Sequence, residues 1–366
     1  MDVIADQVTI TVLEVPTSVD DPDLRASVDV SNAVEADIVG HDLLSDTYAE
    51  TLGQWQPHQY SNTVRLLARV GGEPAARGYL GLPLTENRDK YWVYVAVLPQ
   101  YRRRGIGKAM LRQLEGIADE DGRTTGQSFG TSPTTAGKAL EARTGFGSVA
   151  ADAPGTAFLL AAGFLLEQAE RVSQLDLTTD RATFEGALAG ARRVAEPDYR
   201  LVTWQGNTPE DRLDDVAWMH SRMSTDTPMA DLEMDEEVWD AERVREAESR
   251  SATQDRYLLT AAAEHVASGR LVAYTVLSVP VAAGRVAWQE DTLVTTEHRG
   301  RRLGTLVKAA NLLELVRRQP AAPAVFTWNA EENRPMLDVN ESLGFRAVGS
   351  EGVWQRVDST QGCSEG

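Results

Sequence analysis

The sequence predicts an α/β protein made of two domains of the same architecture in tandem. Its 366 residues exceed the length that one hydrophobic core usually serves. One pattern of strand, turn and helix occurs twice at an offset of 197 residues, with Gly107 and Gly304 as the last turn glycines. A Gly-Phe pair follows in each half, at 163–164 and at 344–345, where the glycine ends a predicted helix and the phenylalanine begins a strand.

Apolar residues that alternate with polar ones predict strands, and apolar residues at helical spacing predict helices. The first half has predicted strands at 8–12, 65–70, 78–83 and 91–97 and a predicted helix at 108–118. The second half repeats this order, with strands at 200–204, 257–263, 271–279 and 286–294 and a helix at 305–317.

The domain boundaries follow from the segments between these patterns. A helical pattern at 179–195 connects the halves, and the Glu-Pro-Asp run at 196–198 marks where the second half begins. The first half carries extra residues, which we expect in the Gly-, Ala- and Thr-rich stretch 131–154. We therefore predict an N-terminal domain at 1–178, a linker at 179–196, a C-terminal domain at 197–358 and a disordered tail at 359–366.

Composition restricts the classes of function. The 55 acidic and 36 basic residues give a net charge of -19, which disfavours a nucleic-acid partner. A mean hydropathy of -0.31 without a long apolar run predicts no membrane span. Cys363 is the only cysteine and the histidines lack metal-ligand spacing, so we expect no disulfide framework and no metal. The acidic start and the single cysteine predict a cytoplasmic protein.

The repeated turn has the features of a phosphate-binding loop. A strand that ends in a basic, glycine-containing turn and then opens a helix presents free backbone N–H groups at the positive end of the helix dipole. Gly105 and Gly107 allow close approach, and Arg102 and Arg104 add charge. Neither a Walker loop nor the G-x-G-x-x-G fingerprint fits these residues. A solvated surface turn is the alternative, and the second copy of the turn weighs against it.

Residues 102–107, Arg-Arg-Arg-Gly-Ile-Gly, resemble the Q/R-x-x-G-x-G/A signature of the GNAT superfamily of N-acetyltransferases, and an apolar strand ending in Val-x-Pro precedes them. The resemblance occurs once in each half, as in tandem proteins of the mycothiol synthase type. It implies, for each half, a mixed sheet splayed into a V with helices on both faces. It also implies acetyl-CoA as co-substrate, its pyrophosphate held by the loop amides.

The second copy departs from the signature, since Arg302 stands where the first glycine belongs, although Gly300 could relieve the turn. Asn329 and Asn333 match positions where the family places side chains on the cofactor arm; helix capping is the alternative for both. The cofactor-binding residues that the resemblance implies are Val95, Val97, Arg102, Arg103, Arg104, Gly105, Ile106, Gly107, Lys108, Val294, Arg299, Gly300, Arg301, Arg302, Leu303, Gly304, Thr305, Asn329 and Asn333.

Catalysis is expected in the second half. The family resemblance implies a carboxylate base on the strand before the loop, and Glu290 and Asp291 are there, whereas the first half has Val93 and Tyr94. Strand alternation predicts that at most one of the two carboxylates faces the acceptor cleft, and a solvated strand carboxylate is the alternative. The tyrosine that usually serves the family as acid is replaced by Leu159 in the first half and by Asn340 in the second. The first half is therefore expected to bind acetyl-CoA without turning it over.

The expected function is acetyl-CoA-dependent N-acetyl transfer to a primary amine of a small molecule, by a monomer or homodimer without nucleic-acid or membrane partners. The helices at 218–239, rich in Met and acidic residues, are expected to set acceptor specificity, unless they only pack on their own sheet. The competing hypothesis is a catalytically silent sensor or scaffold that binds acyl-CoA, which the missing tyrosines favour.

Overall fold

The computed structural model describes residues 8–133, 137–178, 181–226, 230, 232 and 234–357. The chain forms two compact units that divide between Glu170 and Arg171. The end of the chain, from Gly349 onward, belongs to the first unit rather than to the second. We call these units unit 1 and unit 2.

Unit 1 begins with a strand and a helical pair, and the next strands of its sheet follow one another in the chain. Its elements are β1 (Val8–Leu13), α1 (Pro22–Val39), α2 (Tyr48–Trp55), β2 (Ser61–Val70), β3 (Glu73–Pro83), β4 (Lys90–Val97), α3 (Ile106–Glu120), β5 (Thr125–Pro133), β6 (Ala139–Glu141), β7 (Ser148–Ala150) and α4 (Pro154–Ala161). The strand β8 (Leu165–Asp176) starts in unit 1 and ends in unit 2.

Unit 2 repeats the same order of elements. They are α5 (Arg181–Ala195), β9 (Tyr199–Gln205), α6 (Leu213–Asp226), α7 (Ala241–Thr253), β10 (Arg256–His265), β11 (Arg270–Pro280), β12 (Ala287–Val294), α8 (Leu303–Arg318), β13 (Ala324–Ala330) and α9 (Arg334–Ser342). The last strand, β14 (Arg346–Val357), enters the sheet of unit 1 from Gly349 onward.

Each unit contains one pair of parallel strands that separate soon after they meet. In unit 1, β4 pairs with β5 only from Lys90 to Trp92, and in unit 2 β12 pairs with β13 only at Ala287 and Trp288. The other pairs that carry the site are antiparallel, namely β2 with β3, β3 with β4, β10 with β11 and β11 with β12. The expected V-splayed mixed sheet is therefore confirmed in both halves.

The core of unit 1 includes a residue from the end of the chain. Strand β14 runs antiparallel to β5, with Gly349 opposite Pro133 and Val357 opposite Thr125. Trp354 on β14 is 1% exposed and belongs to the apolar cluster that α3 makes with β3 and β4. Arg356 bonds the carboxylate of Glu115 on α3 at 2.8 Å. Unit 1 is thus completed by a strand that follows all of unit 2 in sequence.

The helix predicted to connect the halves is α5, and the extra residues of the first half form the small β6–β7 hairpin. The structure divides the chain after Glu170 and places β14 from Gly349 onward in unit 1, whereas the predicted bounds are 1–178 and 197–358. The predicted tail at 359–366 lies outside the described residues.

We expect Trp354→Ala to lower the free energy of unfolding of unit 1 by about 3–5 kcal/mol, because it empties a closed part of the core. Hydrogen exchange of the β3 and β4 amides measures this. The control is Trp218→Ala, since Trp218 is 44% exposed. Equal protection of β3 and β4 in the two variants would contradict the placement of β14.

Candidate active site

The two arginine- and glycine-rich loops have the same backbone conformation. The first loop has two left-handed residues, Arg103 with φ 62° and Gly105 with φ 81°. The second has the same two positions left-handed, Gly300 with φ 78° and Arg302 with φ 57°. Each loop thus has one glycine and one arginine at its left-handed positions, in opposite order. The departure of Arg302 from the signature therefore leaves the turn unchanged, and Gly300 takes the matching position two residues earlier.

Both loops open a helix whose first amides no side chain caps. Gly105 precedes α3 and Arg302 precedes α8, and neither N-cap makes a side-chain hydrogen bond. A Cβ atom at Gly107 would lie 3.4 Å from both Val97 and Phe158, and one at Gly304 would lie 3.8 Å from Val294. Each glycine therefore lies at contact distance from the end of the splayed strand, which brings the loop backbone close to it. Free amides at the start of a helix fit the diphosphate of coenzyme A.

The arginines of the loops divide into two groups. Arg102 and Arg299 turn back, and each donates from Nε to the carbonyl of the preceding strand end, Val97 at 3.0 Å and Val294 at 3.1 Å. Arg102 also pairs with Asp37 at 2.8 Å. These two side chains hold the loop in place. Arg299 is nevertheless exposed, as are the other loop cations Arg103, Arg104, Lys108, Arg301 and Arg302.

Three asparagines lie beside the splayed strands of unit 2. Asn340 donates to Asn329 at 2.7 Å, and Asn333 caps α9 by accepting from the Met336 N–H. The structure therefore gives Asn333 the capping role that the sequence left open. Asn340 is 1% exposed at the position where the family resemblance implies a tyrosine. Its carboxamide has no acidic proton, so that it cannot replace the tyrosine as an acid.

A pocket of about 280 Å³ opens on the sheet of unit 2 beneath α6 and α7. Its floor is a row of neighbouring residues on four strands. Trp204 on β9 pairs with Thr260 on β10, and Thr260 pairs with Val276 on β11. Val276 in turn lies opposite Glu290 and Asp291 on β12. Three strand spacings give this floor a length of about 14 Å, enough for a small molecule.

Both predicted catalytic carboxylates line this pocket, and the expectation that at most one faces it is wrong. Thr275 pairs with Thr292 but Leu277 pairs with Gln289, so that two residues of β12 lie opposite Val276 alone. This β-bulge interrupts the alternation of side chains along the strand. Glu290 and Asp291 consequently reach the same cavity.

Glu290 has the charge properties of a base that works near neutrality. It is open to solvent through the pocket, yet the surrounding protein removes much of its hydration. This desolvation, together with the negative charge of Asp291, raises the pKa of Glu290 to about 7, against the opposing influence of Arg256. A carboxylate with this pKa is ionised in a useful fraction at pH 7 and can still take up a proton.

Asp291 is held by two aromatic residues. His220 Nδ1 and the Tyr274 hydroxyl each lie 3.2 Å from Asp291 Oδ2. Burial raises the pKa of Asp291, but the hydrogen bonds from His220 and Tyr274 outweigh it and hold the pKa below its usual value. Burial and the charge of Asp291 raise the pKa of Tyr274 well above its usual range, so that its hydroxyl stays protonated. Asp291 thus remains ionised beside Glu290.

Sequence reasoning missed three residues of the pocket, namely His220, Tyr274 and Trp239. The His220 ring stacks on Trp239, with ring centroids 4.4 Å apart. His220 and Trp239 belong to the predicted specificity region 218–239, where the Met content drew attention instead; Met219 from that region is fully buried in the core. The residues meet only because α6 folds over β11, which no local pattern indicates.

Comparison with known proteins gives one family match, to the acetyltransferase (GNAT) family over residues 38–130. No curated protein is similar enough in sequence to count as a match. Among solved structures, a tandem GNAT protein from the clavulanic acid biosynthesis pathway is 26% identical, with a TM-score of 0.75, over 96% of this chain and 98% of that one. Residues 38–130 thus form a GNAT acetyltransferase domain, and the chain resembles a tandem GNAT protein over nearly its whole length.

Two further structures share the fold of this chain. A GCN5-related N-acetyltransferase from Sphaerobacter thermophilus is 14% identical, with a TM-score of 0.60, over 96% of both chains. A putative acetyltransferase from Pyrococcus horikoshii is 13% identical, with a TM-score of 0.51, over 96% of this chain and 90% of that chain. The match of residues 38–130 to the acetyltransferase (GNAT) family implies acyl-CoA-dependent acyl transfer.

Two features concern only the residues that the structure describes. None of their helices has both the length and the apolar character that crossing a membrane requires. The His, Cys, Asp and Glu side chains among them form no group that could hold a metal ion.

The left-handed loop positions can be tested by a matched pair of variants. Gly105→Ala should lower the free energy of unfolding by about 1–2 kcal/mol, because φ is 81° and the added Cβ meets no other atom. Arg302→Gly at the matching position should change it less, since relief of φ strain is offset by the greater freedom of glycine in the unfolded chain. Urea denaturation measures both, and a costly Arg302→Gly would contradict the shared backbone.

Proposed function

We propose that the protein transfers the acetyl group of acetyl-CoA to the primary amine of a small molecule, and that unit 2 carries out this reaction. The observation that carries the proposal is the bulge of β12, which brings Glu290 and Asp291 into one pocket beside the splayed strands. The scarcity of cysteine favours the reducing cytoplasm as its location.

The chemistry of the pocket supports an amine as acceptor. An ammonium group is attracted by the ionised Asp291 and by the aromatic faces of Trp204 and Trp239 that line the cavity. Only a neutral amine attacks a thioester, and Glu290 can accept the proton that the ammonium group must lose. A volume of about 280 Å³ favours a small molecule over a folded protein as the acceptor.

The remaining residues position the reactants. Beyond Trp288, β12 has no pairing with β13, so that its backbone N–H groups on that side are available to the thioester carbonyl. The thioester, when bound, supplies the activated acetyl group. Tyr274 and His220 fix Asp291 and thereby maintain the charge that raises the pKa of Glu290. The loop before α8 would hold the diphosphate through its amides and its exposed arginines.

The second candidate is a silent sensor or scaffold that binds acyl-CoA. It is favoured by Asn340, which replaces the expected acid. Release of coenzyme A in the presence of amines separates the two, because a sensor binds acetyl-CoA and releases none.

With an alkylamine as acceptor, we expect Glu290→Gln to lower kcat by about 10²- to 10⁴-fold, since it removes the base. The KM for acetyl-CoA should stay unchanged, because the loop before α8 is not altered. Steady-state assays of coenzyme A release measure both constants. Glu236→Gln, at an exposed carboxylate of the same unit, is the control and should behave as the wild type. Wild-type turnover in Glu290→Gln would exclude Glu290 as the base.

The dependence of kcat/KM on pH tests the pair of carboxylates. In the wild type the rate should rise with pH through about 7, as Glu290 loses its proton. In Asp291→Asn the neighbouring negative charge is gone, so the pKa of Glu290 falls and the rise should move to lower pH. A rise that stays in place, or moves to higher pH, would mean that Asp291 does not act on the titrating group.

A further inference from the structure

The splayed cleft of unit 1 contains its own set of ionisable residues, although the sequence indicated neither acid nor base there. The 197-residue repeat places Tyr94 where unit 2 has Asp291, and Arg77 where unit 2 has Tyr274. The pairing agrees, since Arg77 lies opposite Ala96 as Tyr274 lies opposite Leu293. Pairing between β3 and β4 continues without a bulge, so that Arg77 and Tyr94 share one face of the sheet.

Two carboxylates from distant parts of the chain meet in this cleft. Glu351 on β14 lies directly opposite Thr131 on β5, and Glu35 comes from α1. Helix α1 packs against β5, and the Thr131 hydroxyl lowers the pKa of both carboxyl groups. Two carboxylates this close to one hydroxyl cannot both be ionised without mutual repulsion. They form a pair that retains a proton at neutral pH and exchanges it with whatever enters the cleft.

The charges around this pair come from several elements. Burial, together with Glu170 and Glu35, raises the pKa of Glu351 to about 8, against the hydrogen bond from Thr131. Burial and Asp46 raise the pKa of Glu35, again against Thr131. Tyr94 also interacts electrostatically with Arg77 on β3 and with Arg102 in the cofactor loop.

Arg77 is a second and independent sign of a ligand. Its Nε is enclosed by protein and has no hydrogen-bond partner, and among the described residues its guanidinium makes no ion pair. Tyr94, Asp46 and Tyr79 act on it electrostatically, and the residue as a whole is half-buried. A cation partly removed from water without a bonded anion is costly. The arrangement therefore suits a ligand that brings an anionic group to Arg77.

The position of these residues matches that of an acceptor site. Strands β4 and β5 separate after Trp92 and Gln127. Tyr94 lies two residues beyond the separation on one strand and Thr131 four residues beyond it on the other. The ionisable cluster thus borders the cleft that the Arg102–Gly107 loop supplies with an acyl-CoA under the proposed function.

We propose that unit 1 is a second acetyl-transfer site, in which Glu35 and Glu351 receive the amine and Arg77 binds a carboxylate of the same acceptor molecule. The acceptor class is accordingly a free amino acid, with either an α- or an ω-amino group. The proposal rests on the proposed function only in that both units use acetyl-CoA.

The reaction balances as follows. The carboxyl pair takes one proton from the ammonium group, and the neutral nitrogen forms a bond to the thioester carbonyl carbon. The C–S bond breaks, and the thiolate leaves as coenzyme A after it receives the second proton of the nitrogen through the pair or water. The products are an N-acetyl amino acid and coenzyme A, with no oxidant or metal required.

The test compares amines that differ only in a carboxylate. Glycine, β-alanine and 4-aminobutyrate are assayed beside methylamine, ethylamine and propylamine, and release of coenzyme A from acetyl-CoA is measured. In Glu290→Gln, which disables unit 2, at least one amino acid should still be acetylated while the alkylamines are not. Adding Glu351→Gln should lower that remaining rate at least 100-fold.

Arg77→Met separates binding from chemistry. It should raise the KM for the amino acid at least 10-fold and leave kcat/KM for the alkylamines unchanged, because only the carboxylate contact is lost. Glu120→Gln, at an exposed position of unit 1, is the control. Hydrogen exchange of β3 and β4, with the stoichiometry of coenzyme A binding by calorimetry, verifies that each variant retains its fold.

Two results would overturn the proposal. One is that no amino acid of the panel releases coenzyme A in Glu290→Gln while this variant still binds it. The other is that folded Glu351→Gln and Arg77→Met keep the full rate and KM. Failure of the proposed function has a different signature, since alkylamines would then react equally well with and without Glu290.

Discussion

The separation of two parallel strands is the constraint on which the rest of the structure depends. β4 leaves β5 after Trp92, and β12 leaves β13 after Trp288. Each separation leaves a stretch of backbone without strand partners next to a helix whose first amides are also free. Buried backbone groups require partners. A ligand with an extended polar arm and a diphosphate provides them, the arm for the unpaired strand and the diphosphate for the helix amides. The same opening exists in both units, and the residues around it decide what each can do.

Unit 2 modifies this opening with a single extra residue in β12. In unit 1 the pairing of β3 with β4 is regular, and Val93 points into the core with 2% exposure. In unit 2 the equivalent residue is Glu290, which regular pairing would direct into the core. The bulge turns it into the pocket instead, next to Asp291. The energetic cost of burying a carboxylate is thus avoided, and partial desolvation is kept as the means of raising its pKa.

The ionisable cluster of unit 1 depends on the last strand, β14, which belongs to unit 1 although it follows unit 2 in sequence. β14 covers the edge of β5, contributes Trp354 to the core and brings Glu351 opposite Thr131. An edge strand left uncovered would present unpaired amides and carbonyls. The strand therefore has a structural role that does not depend on Glu351, and the stability of unit 1 and the chemistry of its cleft can be altered separately.

Local patterns in the sequence determined the first four strands of each half, the helices α3 and α8, the two loops and the tandem arrangement. These features depend on residues close together in the chain, where periodicity and turn chemistry are decisive. The sequence also singled out Glu290 and Asp291, as carboxylates on the strand before the loop. The tertiary structure alone decided that both enter one pocket, because a bulge depends on the register with β11. It alone brought His220 and Tyr274 to Asp291, and Glu351 to Glu35, because these contacts join segments whose order in the chain carries no information about their distance in space.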